Sequence, residues 1–398
     1  MSNGSSTPSS RLAEVTRLAF VTWDGGGNVP PAVAIAQELV RLGHDVVFIG
    51  YEVQRASFER RGLAFSPLPR GGDFDIYATA DPSERVKGLI AEVWACAGHV
   101  DAVSDAFGTA SADALVVDFL MQGAIASAIS HGIPLAVLAH SSVAGLTPPP
   151  ESPMGAARLK ATNDLRRTAG LPDLARLDAA WAGVPTIVTT IPALDPAAVS
   201  AAPSVCYVGP VFERVPDERW QSPWAADDER PLVLVSFSTT RLWDQSGRVR
   251  NTLQALADEP VRVLVTASQS IDMGTIPGNA AIRRSVPHVQ VLRSAALTIT
   301  HGGHGTVSAS LAAGVPLIVL PNAAADQPFL AARVHALGAG IALDGNAPAA
   351  DIRAATATIL DDQSYRVAAA SLKSAIDASP GVSVAASVAL SAVPTATR

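Results

Sequence analysis

At 398 residues, with 48% hydrophobic and 16% charged positions, the chain is long enough for two buried cores and too apolar to be disordered. A net charge of −7, a pI near 5.6 and the lack of any basic run speak against a nucleic-acid partner. Cys96 and Cys206 have no metal-ligand spacing, no run reaches the length of a membrane span, and residues 1–10 lack the apolar stretch of a secretory signal, so a cytoplasmic protein without a membrane partner is expected.

The Ser/Gly/Pro/Asn-rich start reads as a disordered tail over residues 1–14. Leu18 to Thr22 then reads as a strand, Asp24 to Asn28 as a loop, Pro30 to Leu42 as a helix and Asp45 to Ile49 as a second strand. Further on, the buried-type strands Ala114 to Val117 and Leu135 to Leu138 flank a helical stretch, Gly123 to Ser130. Such alternation implies a parallel sheet with helices on both faces. Thr147 to Pro153 is a proline-rich exposed loop, and Gly209 to Pro231 mixes prolines with charges as a linker does.

After the linker the alternation restarts with Leu232 to Phe237, a helix near Val249 to Ala257, and the strand-like runs Val261 to Thr266, Val289 to Leu292 and Ala296 to Thr300. A helix, the strand Leu317 to Leu320, a helix from Gln327 to Leu337 and the strand Ile341 to Leu343 follow. Val382 to Val393 is Ala-rich and apolar, as expected of a docking helix.

The most telling segment is His301-Gly302-Gly303-His304-Gly305-Thr306, between the run ending at Thr300 and a helix. A glycine-rich turn between strand and helix aims unpaired backbone N–H groups and a positive dipole end at one point, which makes an anion site. Asp326-Gln327 downstream offers groups suited to hydroxyls, although Asp326 can also be read as a plain helix N-cap. A phosphate end and a polyol end together suggest a nucleotide-activated sugar.

With these residues the chain resembles the GT-B-fold glycosyltransferases of the UDP-glycosyltransferase superfamily (family 1), in particular the actinobacterial enzymes that decorate macrolides and polyketides. The resemblance is carried by Val286-Pro287-His288, the His301 to Thr306 turn, Ala312 to Pro316, Asp326-Gln327 and Ala331 to Arg333, with weaker echoes at Val208 to Pro210 and Ser236 to Thr239. It implies two Rossmann-like, doubly wound α/β domains with parallel sheets facing across a cleft. An N-terminal acceptor-binding domain would span 15–208, a linker 209–230, a nucleotide-sugar-binding domain 231–380 and a C-terminal helix and tail 381–398.

The resemblance also implies roles. His301 and the backbone N–H groups of Gly303, Gly305 and Thr306 would hold the diphosphate, with Ser238 and Thr239 reaching the same phosphates. The chain at Val286 and His288 would meet the base. Asp326 and Gln327 would bond the sugar hydroxyls, with His304 beside the sugar. Neither metal nor cofactor is implied, the helix N-terminus and histidine stabilising the leaving diphosphate. The partners would be an NDP-sugar, from dTDP or UDP, and a small, largely apolar acceptor; a homodimer is compatible with this.

One position departs from the family. The acceptor's base is usually a histidine three residues before a proline that opens the first helix, and here, counting back from Pro31, that position holds Asn28. Asparagine is no base at neutral pH, though it can orient a substrate or cap a helix. Asp118 matches the aspartate that normally orients the histidine, and it is a candidate base itself or a helix cap. His140, just beyond the strand Leu135 to Leu138, is another candidate, and Asp24 a third. Two rival functions remain at this level: an epimerase on the same architecture, and a non-catalytic helper of a partner transferase.

Overall fold

Runs rich in valine, leucine and isoleucine build two parallel sheets in the computed structural model, whose described residues are 15–68, 81–214, 220–237, 244–267, 274–322 and 326–394. The expected tail over 1–14 and the expected phosphate contacts Ser238 and Thr239 lie outside the described residues. The first sheet contains β1 (Arg17–Val21), β2 (Asp45–Gly50), β3 (Ala64–Pro67), β4 (Ala114–Asp118), β5 (Leu135–Ala139), β6 (Thr186–Val188) and β7 (Val205–Tyr207), ordered β3-β2-β1-β4-β5-β6-β7. The second contains β8 (Leu232–Ser236), β9 (Arg262–Thr266), β10 (Ala280–Arg283), β11 (Ala295–Thr300), β12 (Leu317–Val319) and β13 (Gly340–Ala342), ordered β10-β9-β8-β11-β12-β13.

Each sheet is covered on both faces, which is why its strands read as continuous apolar runs. In β1, Leu18 and Phe20 pack one way with Val46 and Phe48, while Ala19 and Val21 pack the other way with Val47 and Ile49. Strand order reverses between β1 and β4 and again between β8 and β11, and open sheets of this kind bind ligands beyond the strand ends at that reversal. The segments leaving those ends include Trp23 to Asn28, Phe119 to Gln122 and His301 to Gly303.

Some local expectations fail for physical reasons. Val289 to Leu292 is not a strand but part of the short helix His288–Leu292, with Pro287 at its N-cap position. Only Val291 and Leu292 are buried there, so the valine-rich composition misleads. Strands β3, β6, β7 and β10 are too short to show a period, and three of them are sheet edges. Beyond the proline-rich loop lies a helix, Pro153–Thr168, started by the Ser152 hydroxyl accepting from Gly155 N at 3.1 Å and by Pro153 in its first turn.

Two segments tie the halves together. The helix Gly381–Leu390 packs Ala385, Ala386 and Ala389 into the first domain beside Ile35 and Leu39. There the Ser383 hydroxyl donates to Glu38 at 2.8 Å, and Arg41 and Arg214 also bond that buried carboxylate. These partners, Arg41 foremost, hold the Glu38 acid down at about 2. Ile191 and Leu194, from the first half, pack among Val307, Leu311, Ala331 and Val334 of the second, where Arg333 Nη2 donates to the Ala193 carbonyl at 2.7 Å.

Candidate active site

The glycine turn follows β11 and leads into the helix His304–Ala312. Gly302 has φ +87, and a Cβ there would lie 2.9 Å from Val319 Cγ1, so only glycine fits. A Cβ on Gly303 would lie 2.6 Å from His301 Nε2, which places the imidazole directly over the turn. No side chain caps this helix, and among the described residues the N–H groups of Gly303, His304 and Gly305 have no protein acceptor. The Thr306 N–H donates to the Gly303 carbonyl at 3.1 Å. The free donors therefore run from Gly303 to Gly305, and Thr306 is left with its hydroxyl. Gly305 is exposed with open space above it.

The turn is electrostatically unusual because its histidines are buried and neutral. Burial pushes His301 down to about 4 against a backbone hydrogen bond to Ser236, and burial together with His140 pushes His304 down to about 3. His304 Nε2 lies 3.2 Å from the Ser308 hydroxyl, one turn along its own helix. His288 Nε2 lies 3.5 Å from the Ser236 hydroxyl, and Val286 packs against the cluster of Leu232, Leu234 and Leu264. His288 therefore sits beside the end of β8.

Asp326 stands at the N-cap position of the helix Gln327–Ala336 but makes no capping bond, which removes the N-cap reading. Its buried carboxylate instead accepts a short hydrogen bond from the Ser141 hydroxyl of the first domain, and burial raises its acid above the usual range. Gln327 Oε1 accepts from Asn322 N at 3.0 Å and from Asn322 Nδ2 at 2.9 Å, and the Gln327 NH2 has no partner among the described residues.

Across from this turn stand the acceptor-side candidates. Asp118 ends β4 and is paired with Leu138 in β5, so a residue two places past Leu138 comes back over it. That residue is His140, whose Nδ1 is 3.0 Å from Asp118 Oδ2, close but off the line of its N–H. Asn28 Nδ2 donates to the same Oδ2 at 3.0 Å, to the Trp23 carbonyl at 2.9 Å and to Thr22 Oγ1 at 3.1 Å. Asn28 Oδ1 accepts from Gly25 N at 3.1 Å, upstream of the helix, so Asn28 is no helix cap.

Asp118 Oδ1 accepts from Leu120 N at 3.0 Å, and the side chain is 3% exposed. Both oxygens are thus turned to protein, which corrects two expectations: Asp118 neither faces an acceptor directly nor caps the helix Gln122–Ser130. Asp24 is half-buried, has no partner among the described residues, and is raised above the usual carboxylate range by burial. His140 lies near enough to His304 and Asp326 to act on both electrostatically, while its Nδ1 stands against Asp118.

Three residues that sequence reasoning passed over shape this arrangement. Ser141 contacts Asp326 across the domains. Asp195, wholly buried, accepts from Val143 N at 2.7 Å and Ala144 N at 3.2 Å, and from the Tyr207 hydroxyl at 2.9 Å. It thereby caps the helix Val143–Leu146 that follows the loop of His140 and Ser141. Tyr207, its other tether, comes from β7. These links join residues far apart in sequence, and only the Asp-Pro step at Asp195-Pro196 marks a turn there. No group of residues able to hold a metal ion occurs among the described residues, and no helix there is long and apolar enough to cross a membrane.

Buried neutral histidines carry a stability signature. For His99, His301 and His304 burial pushes the folded-state pKa down to about 4, 4 and 3, below the ordinary imidazole value of about 6.5. The unfolded chain then binds more protons below pH 6.5, so stability falls as pH drops from 6.5 towards 4. The loss is on the order of 2 kcal/mol per histidine at pH 5. Asp326, raised by burial, works in the opposite sense. Urea unfolding at pH 7 and pH 5 should show this loss, and a flat profile would contradict the buried neutral state.

Comparison with known proteins places the chain. A family described as the C-terminal domain of erythromycin biosynthesis protein CIII-like proteins matches residues 250–389. The chain is 30% identical to 4'-demethylrebeccamycin synthase of Lentzea aerocolonigenes over 404 residues, covering 90% of this chain and 94% of that protein. It superposes on the solved kitacinnamycin glycotransferase with a TM-score of 0.78 at 22% identity, covering 96% and 99% of the two chains. It also superposes on the glycosyltransferase VinC in complex with dTDP, with a TM-score of 0.69 at 17% identity, covering 95% and 99%. At such identity the two structures speak for the fold alone, and the synthase speaks for kinship. The chain belongs to the GT-B glycosyltransferases of family 1, among the actinobacterial natural-product enzymes, and transfers a sugar from a nucleotide-diphosphate sugar.

Proposed function

We propose that this transferase inverts the anomeric centre without a metal, using a dTDP- or UDP-sugar and a small, largely apolar natural-product aglycone, with His140 as the base. The observation that supports this reading is the place of His140, whose Nδ1 is 3.0 Å from Asp118 Oδ2 and which lies near enough to His304 and Asp326 to act on both electrostatically. His140 would take the acceptor's proton as it attacks the anomeric carbon, and Asp118 would steady the imidazolium that forms. Asn28 holds Asp118 in place. The base has moved from the loop after β1 to the loop after β5, and it keeps the same aspartate.

His301 and the N–H groups from Gly303 to Gly305 would bind the diphosphate and stabilise its departure, so the residues present supply the charge stabilisation that a metal would otherwise bring. Asp326 and Gln327 would read the sugar hydroxyls once Ser141 yields its bond, with His304 beside the sugar. The acceptor preference follows the relatives, which include a synthase named for demethylrebeccamycin. None of them is named for epimerisation, so that rival gains no support.

The test is incubation of dTDP- and UDP-sugars with a panel of aromatic and macrocyclic aglycones. Product with a β-anomeric proton from an α-linked donor, at a rate unchanged by a chelator, is the expected result. Retention of configuration, or loss of turnover on chelation, would reject the mechanism.

A further inference from the structure

A guanidinium taken out of water is costly unless something charged or hydrogen-bonding meets it. Arg158, on the helix Pro153–Thr168, is 6% exposed. Its one hydrogen bond runs from Nη1 to the Leu146 carbonyl at 2.5 Å, and no carboxylate among the described residues pairs with it. Burial alone lowers it to about 10. Its guanidinium lies 4.9 Å from the centre of the Trp94 ring, a cation–π contact that leaves the other N–H groups unmatched.

Trp94 in turn meets Trp23 edge-on, with ring centres 6.0 Å apart. Both indole N–H groups are buried without a partner among the described residues, as is the Gln122 amide oxygen. An indole N–H only donates, and buried donors are normally satisfied, so two such orphans in a cluster with a guanidinium that has no carboxylate partner are unusual. The cluster also begins at the proposed catalytic group, because the Trp23 carbonyl accepts from Asn28 Nδ2 at 2.9 Å. Three elements distant in sequence thus bring together flat aromatic faces and donors that lack an oxygen.

We propose that Arg158, with Trp94 and Trp23, selects the acceptor: the rings pack against an aromatic aglycone, and the guanidinium donates to a carbonyl or anionic oxygen on it. This rests on the reading above in which the first domain holds the acceptor. A purely structural role, Arg158 bracing Trp94, would weaken all acceptors alike. A recognition role discriminates by the oxygen, because the analogue lacking it leaves buried donors unpaired.

The test compares binding of umbelliferone, a phenol with a ring carbonyl, and naphthol, a fused two-ring phenol without one, by calorimetry on the full chain. The wild type should bind umbelliferone about tenfold or more tightly over naphthol. Arg158→Met should bring the two within about twofold by weakening umbelliferone alone, and Arg158→Lys should keep part of the preference. A wild type without preference, or an Arg158→Met protein that loses both phenols equally, overturns the proposal. Should Arg158→Met fail to fold by thermal melting, the Arg158→Lys protein carries the same comparison, and an undiminished preference there overturns it. Titration of dTDP and UDP into the same wild-type sample reads the donor half separately. Failure there would count against the glycine-turn assignment and leave the Arg158 result to stand or fall on the phenols.

Discussion

His140→Ala is expected to lower kcat by about 10²- to 10⁴-fold, the range a positioned general base supplies. KM for the donor should stay near its starting value, because the diphosphate and sugar contacts lie on the other side of the cleft. Asp118→Asn should also lose rate heavily, since the new amide cannot stabilise an imidazolium and disturbs the bond from Asn28. Asn28→Ala removes one hydrogen bond to the aspartate and should cost no more than about tenfold. Asp24→Asn is the control that matters, because Asp24 is a half-buried carboxylate in the first loop without a partner among the described residues. Steady-state rates of the four variants, with the acceptor the wild type uses best, check the ordering. A large loss at Asp24 with little at His140 would move the base to the first loop.

His301→Ala is expected to reduce donor kcat/KM by about 10²- to 10³-fold, comparable with removing a preorganised donor from an anion hole. The ring lies over Gly303 with Nε2 where a Cβ would collide, so its loss opens the turn as well as removing a hydrogen bond. Binding of dTDP or UDP by calorimetry should weaken in parallel, which separates loss of donor affinity from loss of chemistry. Unchanged kinetics with the proper donor would sink the diphosphate assignment. Gly302→Ala should fail more broadly, since φ +87 and the contact with Val319 leave no room for a side chain.

The parts legible from the residues alone are those whose physics is local. The parallel sheets followed from continuous apolar runs between helices, and the anion turn from glycines between β11 and a helix. The family resemblance was strongest at the same place because those residues are packed closely in sequence. Val289 to Leu292 misled because a five-residue helix buries only two side chains, and composition then outweighs a period too short to see. The short strands β3, β6, β7 and β10 were hidden for the same reason.

The acceptor half was less legible because its geometry is made by strand pairing. Nothing near His140 in sequence names Asp118 as its neighbour; the register of β4 against β5 does. Asn28 looked like a gap in a catalytic pair, and it is instead a donor to the aspartate that His140 also approaches. Ser141 reaching Asp326 and Asp195 holding Val143 are contacts across long stretches of chain, which no local pattern announces. Asp326 was expected to bond a sugar's hydroxyls or to cap its own helix; it makes no capping bond, and its carboxylate accepts from a serine of the other domain.

As proposed, His140 takes the place of the histidine that the first loop lacks. The most direct measurement of this is the turnover of His140→Ala with and without added imidazole. His140→Ala should show a deep loss that imidazole partly restores in a saturable way, with no such effect on the wild type or on Asp118→Asn. Near wild-type turnover of His140→Ala without imidazole would contradict it.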